Sequence, residues 1–123
     1  MKIGLWPAAL VCLSLHALAA NYEPDPDPAV NAWYGKVISN DHVSCCGVAD
    51  AYWAFTTRVN ADGSIEVQVQ DDRAIEGRTD LDGHTFTVPP DKIDRRMQGN
   101  PTGHEIIFVA GAYVICFFPG GGV

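Results

Sequence analysis

The sequence predicts an α+β fold: a small antiparallel sheet or partly closed barrel of about five strands, with a short N-terminal helix packed on it. Three observations lead there. A proline-initiated pattern of helical spacing appears once, between Pro28 and Ile38. At Tyr52 the period changes from helical to two. Near the end, Glu105 to Val109 and Ala112 to Phe118 are almost wholly apolar and are split by Gly111. One helix and several short alternating strands fit a single layered core.

Residues 1–19 read as a signal peptide. Lys2 is a minimal positive region, Ile3 to Leu18 is mostly apolar, and Ala17-Leu18-Ala19 has the small-x-small pattern of a cleavage site. The apolar run is too short and too interrupted to span a bilayer, which needs about 20 such residues, so no membrane span is expected after signal removal. Cys12 leaves with the signal on this reading. Residues 20–29 form an extended acidic leader in which Pro24, Pro26 and Pro28 remove amide donors and fix φ. Residues 30–123 form one globular domain.

Pro28 sits where a helix can begin, with Asp27 before it as cap, and Val30, Trp33, Tyr34 and Val37 recur at helical spacing. A helix over about Pro28 to Ile38 follows, weakened by Gly35 and held by the packing of Trp33. Trp53, Phe55, Thr57 and Val59 then alternate with Ala54, Thr56 and Arg58, and Ile65, Val67 and Val69 with Glu66, Gln68 and Gln70. These are two half-buried strands joined by a tight turn at Asn60-Ala61-Asp62-Gly63. Asp71 to Gly83 reads as a loop. Thr85 to Val88 is a third strand ended by Pro89-Pro90, and Asp91 to Met97 is expected to form one or two helical turns. The two apolar segments near the C-terminus are strands covered on both faces.

Charge narrows the partners. The whole chain carries a formal net charge of −7; removal of the signal takes Lys2 and leaves seven Lys and Arg against fifteen Asp and Glu, or −8. Nucleic acid and anionic membranes are poor partners for such a chain, and a cationic envelope protein is the electrostatically favoured one.

Three cysteines remain: the vicinal pair Cys45-Cys46 and Cys116. In an oxidising compartment they allow three single pairings, of which the adjacent one closes a strained ring. The staple is assigned to Cys46 and Cys116, with Cys45 the alternative partner. Either bond would tie the helical region to the last core strand across about seventy residues, for roughly 4 kcal/mol by chain entropy.

Other chemistry can be written on the same residues. His42, Cys45 and Cys46 offer an imidazole and two thiolates, completed by Asp50, His84 or Cys116, which suits Zn²⁺ or Cu⁺, although adjacent cysteines reach one ion awkwardly. A nucleophilic reading takes Cys45 or Cys46, with His42, His84 or His104 as base and Asp50 as orienter, and no spacing favours one choice. There is no Cys-x-x-Cys, no Gly-x-Ser-x-Gly around Ser44 and no phosphate-cradling glycine loop. Asp80-Leu81-Asp82-Gly83 begins like a calcium loop but lacks the later oxygen ligands, so it reads as a hairpin-entry turn. Lys92, Arg95 and Arg96, the only basic cluster, read as partners of a helix C-terminus. No catalytic residue and no cofactor are assigned.

Four short motifs also occur in order: Ser44-Cys45-Cys46 with Asp50, Val88-Pro89, Asn100-Pro101-Thr102-Gly103, and Cys116-Phe117-Phe118-Pro119-Gly120. In this the chain resembles a group of small, functionally uncharacterised exported proteins of Gram-negative bacteria. The resemblance implies a periplasmic location and no activity. Members of that group often carry a further cysteine after the matching aspartate, where this chain has Ala51. The departure implies that one of two disulfides is lost and that Cys45 or Cys46 is a stranded partner. The expectation is therefore a periplasmic or secreted, disulfide-stabilised interaction module without chemistry of its own. The alternatives are a small metal-binding protein using His42, Cys45 and Cys46, and an inhibitor of a basic envelope hydrolase.

Overall fold

The computed structural model describes residues 25–46, 51–73, 75 and 77–120 of the 123-residue chain. The signal peptide and the start of the leader lie outside the described residues, as does Asp50.

Helix α1 spans Pro28–Lys36. The Asp27 carboxylate accepts the Ala29 N–H at 2.9 Å, while Pro28 occupies a position whose missing N–H costs nothing. Asp25 is tied to the helix, its carbonyl accepting from the Asn31 side chain at 2.6 Å, so the described end of the leader folds back on α1. Val30, Trp33 and Tyr34 are buried. The helix stops two residues short of the expected end because Val37 turns extended and Ile38 bridges Ser44. Nine residues are too few for a helix to hold itself in water, so packing maintains it.

Strands β1 (Ala51–Val59), β2 (Ile65–Val69), β3 (Thr85–Val88), β4 (Glu105–Ala110) and β5 (Tyr113–Phe118) make one antiparallel sheet in the order β3-β2-β1-β4-β5. The β1–β2 turn is built as expected. The Asp62 carboxylate accepts both the N–H and the hydroxyl of Ser64, and Gly63 takes φ 91°. Between β4 and β5 the loop is only Gly111-Ala112, with Gly111 at φ 63°. A positive φ at the first of two loop residues is the II′ arrangement, which matches the twist of the flanking strands.

The sheet buries both faces. Outside, α1 lays Val30, Trp33, Tyr34 and Val37 on Ile106, Phe108, Ile115 and Phe118. Trp33 meets Tyr34 and Phe118 edge-on, with ring centroids 5.4 and 5.1 Å apart. Inside the curl, Tyr52, Ala54, Ile65, Val67, Val69, Val88, Ile107, Val109, Val114 and Phe117 form a second cluster. This explains why β4 and β5 are continuously apolar: both of their faces are covered.

Curling brings β3 toward β5. One end of this seam is closed, with Ile93 bridging Phe117 in parallel and the Asp94 N–H donating to the Phe117 carbonyl at 2.8 Å. The expected helical turns over Asp91 to Met97 are therefore corrected to a single 3₁₀ turn at Pro90–Lys92. Pairing of Ile93 and Asp94 with β5 holds these residues extended, which a helix would forbid.

Candidate functional site

The cysteines are placed by two local irregularities. After α1 the chain folds on itself around Ser39, whose hydroxyl accepts the N–H groups of Asp41 and Val43. The Cys45 N–H donates to the Val37 carbonyl at 3.2 Å, which points Cys45 into the core while Ser44 stays exposed. On β5, Phe108 pairs with Cys116 but Val109 pairs with Val114, so Ile115 is an extra residue. This bulge carries Cys116 from the interior face to the α1 face.

Cys45 and Cys116 are joined, with Cα atoms 5.8 Å apart at a sequence separation of 71. The assignment of Cys46 to Cys116 is thus corrected to its alternative, Cys45. The reason is the extended pairing that aims Cys45 inward, followed by a reversal at Cys46, which takes φ 81°. Cys46 is not the stranded thiol implied by the resemblance either: it too is disulfide-bonded, and none of the described cysteines is a free thiol.

The remaining candidate residues are dispersed. His42 sits exposed in the Ser39 turn with its Nε2 2.9 Å from the Arg96 guanidinium. His84 enters β3, and His104 precedes β4, where its ring stacks on Trp53 with centroids 4.0 Å apart. With Cys45 in a disulfide, the set His42, Cys45 and Cys46 does not present two thiolates. Among the described residues no group of three or more His, Cys, Asp or Glu is placed to hold a metal ion. Asp80 and Asp82 turn inward on the backbone: Asp80 accepts the Asp82 N–H and Asp82 the Asp71 N–H, as a turn requires. The basic cluster does not cap a helix. Lys92 donates to the Tyr113 hydroxyl at 3.0 Å, Arg95 to the Pro90 carbonyl, and Arg96 faces His42.

Sequence reasoning missed a buried ion cluster in the loop it left without structure. The Asp71 side chain is fully buried and receives Arg73 through Nε at 2.9 Å and Nη2 at 2.7 Å, with Arg78 Nη2 at 3.4 Å. Asp71 also accepts the Trp53 N–H, and Arg78 donates to the Ala51 carbonyl. Beyond Gln70, whose N–H donates to the Trp53 carbonyl at 2.9 Å, the chain has left β1, and these two side chains replace the missing neighbour of the β1 ladder. The guanidinium of Arg73 lies 4.0 Å from the Trp53 ring centre and that of Arg78 4.1 Å from Tyr52.

Burial alone would raise the Asp71 carboxyl, but the bonds from Arg73 and Trp53 and the two positive charges hold it below its ordinary value. Burial pushes the Tyr34 hydroxyl up, against the pull of Arg73. Burial, then the Arg73 charge, lower His104, with Asp71 opposing. A spacing of two and seven residues around an aspartate carries no motif, so no pattern in the sequence announces this cluster.

A second feature lies at the open end of the seam. A groove of about 410 Å³ is bounded by Leu81, His84 and the stretch Thr85 to Thr87 on one side and by Gly111 and Ala112 on the other. Leu81 and Phe86, half-buried, pack against the interior cluster, so the floor is apolar. Leu81 is flanked in sequence by Asp80 and Asp82, both exposed, and Glu66 accepts the Thr87 hydroxyl at 2.8 Å. No Lys or Arg lines the groove. Lys92 is held against Tyr113, the residue after Ala112.

Comparison of the chain with protein-family profiles, with curated proteins and with solved structures returns no match.

Proposed function

We propose that this chain is an exported, disulfide-stabilised binding module of the periplasm that recognises a cationic protein and performs no chemistry of its own. One observation carries the reading: the open end of the seam offers a groove with an apolar floor, lined by no Lys or Arg, on a chain of net charge −7. Such a surface attracts cations and gives an apolar side chain a dry floor. The Cys45–Cys116 bond supports the placement in an oxidising compartment, and no helix among the described residues is long and apolar enough to cross a membrane.

The test is direct binding of the oxidised chain to a folded basic protein and to an acidic one of similar size, each at low salt and at about 0.3 M salt, where charges are screened within roughly 6 Å. The basic protein is expected to bind and to weaken at least tenfold as salt rises, while the acidic one does not bind. Equal affinity for both, or for neither, would remove the reading.

A further inference from the structure

We infer that residues 91–98 are a gate at the end of the seam opposite the groove. They open and close as one unit while the sheet stays folded, and closing seats Ile93 against the interior cluster. The gate stands independently of what the groove binds.

Three observations converge on this segment. First, it carries little buried apolar surface. None of its residues is fully buried, Met97 is 89% exposed, and Ile93, half-buried, is the one apolar side chain it turns toward the interior cluster. Segments of this kind open well below the free energy of global unfolding.

Second, it is latched by side chains instead of by a strand ladder. Among the described residues its main-chain pairing with the sheet is confined to Phe117, whose carbonyl accepts the Asp94 N–H at 2.8 Å beside the Ile93 bridge. The other bonds run to the turn around Ser39. Asn40 donates to the Asp91 and Ile93 carbonyls, each at 2.8 Å, and accepts the Arg95 N–H at 2.9 Å. Gln98 donates to the Ile38 carbonyl at 2.7 Å and accepts the Ile38 N–H at 3.0 Å. Arg96 meets the His42 ring at 2.9 Å. The turn itself is anchored to β5 a few residues later through the Cys45–Cys116 bond, so residues 91–98 are the side of the latch that moves.

Third, the latch holds backbone strain. Among the described residues only His42, Cys46 and Met97 combine a side chain with a positive φ. Two of the three belong to this contact: His42, at 67°, meets Arg96, and Met97, at 55°, follows Arg96 in the chain. Such conformations persist only where the surroundings impose them, and they gather at switch regions. Opening relieves the strain at Met97, withdraws Ile93 and frees the Phe117 carbonyl.

The experiment reads hydrogen exchange by NMR at four amides of the full oxidised chain. Asp94 and Ile38 donate across the latch, to the Phe117 carbonyl and the Gln98 side chain, and neither bonds to Asn40. Val69 and Gln70 donate within the sheet and its loop, to the His84 and Trp53 carbonyls. After correction for intrinsic rates, Asp94 and Ile38 are expected to exchange at least tenfold faster than Val69 and Gln70. Asn40→Ala should speed Asp94 and Ile38 by a common factor of at least ten and leave Val69 and Gln70 within about threefold. Met97→Gly, which places at φ 55° a residue that adopts it freely, should slow the first pair at least threefold.

Four results overturn the gate. Equal exchange of all four amides in the parent would mean that the segment opens only with the whole fold. Equal acceleration of all four by Asn40→Ala would make Asn40 a general prop of the fold. Different factors at Asp94 and Ile38 would show that the segment is not one unit, and exchange unchanged or faster in Met97→Gly would remove the strain from the closed state. The salt titration above, which decides the groove's partner, is unaffected by any of them.

Discussion

Replacing Asp71 by asparagine separates the covalent size of this side chain from its charge. The substitution leaves Arg73 and Arg78 facing a neutral amide whose NH₂ group points its hydrogens at theirs. Arg73, 15% exposed, has a route to water, whereas Arg78, 4% exposed, has almost none. Breaking a buried pair costs about 3–5 kcal/mol, and the escape of one guanidinium places Asp71→Asn near 3 kcal/mol. Against a total of about 5–15 kcal/mol for a domain of this size, that is a large fraction. In urea it corresponds to a midpoint shift on the order of 1–3 M, read by circular dichroism with the disulfides intact.

The same variant makes a pH prediction. Because the folded carboxyl sits below its unfolded value of about 3.9, its contribution is present above that pH and is lost as pH falls through the lower folded value. The gap between the parent and Asp71→Asn should therefore close below about pH 4. A triple replacement by apolar residues, Asp71→Leu with Arg73→Met and Arg78→Met, sharpens the argument. Buried ion clusters often tolerate such exchange. Here the Trp53 N–H and the Ala51 carbonyl would both lose their partners, at about 1–3 kcal/mol each. A triple variant as stable as the parent, or an Asp71→Asn midpoint within about 0.3 M of it, would refute the role of these side chains in completing the β1 ladder.

Other outcomes follow from the same geometry. Cys45→Ala with Cys116→Ala opens a loop of 71 residues and should cost about 4 kcal/mol by chain entropy, measured as the loss in urea midpoint relative to the oxidised parent. His104, followed by NMR, should titrate below about 6.5, since burial and the Arg73 charge disfavour its imidazolium; Trp53→Ala, which uncovers it, should move the midpoint upward. In that acid window the unfolded chain takes the proton first, so stability should decline as pH falls through about 6.5. Gly111→Ala forces a side chain onto φ 63° in a two-residue loop and should lower stability by about 1 kcal/mol; an unchanged thermal midpoint would show that the loop relaxes.

Legibility in the sequence followed the range of the interaction. The helix start at Asp27-Pro28, the Asn60–Gly63 turn and the strand at Thr85–Val88 rest on neighbours in the chain, and each is where its residues indicated. The continuous apolarity of β4 and β5 announced two covered faces, which the α1 layer and the curled interior supply. Features that depend on distant partners were not legible. Ile93 reads as half of a helical pair with Met97, but its position is set by Phe117, and Met97 is 89% exposed. The choice of Cys45 over Cys46 turns on the pairing of Cys45 with Val37 and the reversal at Cys46, and the bulge that turns Cys116 toward them lies seventy residues away. The Asp71 cluster looks like ordinary loop polarity until β2 departs from β1 and leaves backbone groups for it to satisfy. The groove has no sequence signature, because it is the gap left when a five-stranded sheet curls without closing.

The extra residue at Ile115 links strand register to covalent topology. Cys116 faces Cys45 only when Phe108 and Val109 find Cys116 and Val114 opposite them; a slip by one position would turn the sulfur to the interior, with the sheet between it and its partner. Oxidation therefore discriminates between registers, and the bond forms on chains whose last hairpin is already correct. Wherever the chain is oxidised as it folds, the bulge makes the oxidant a proofreader of β-sheet alignment.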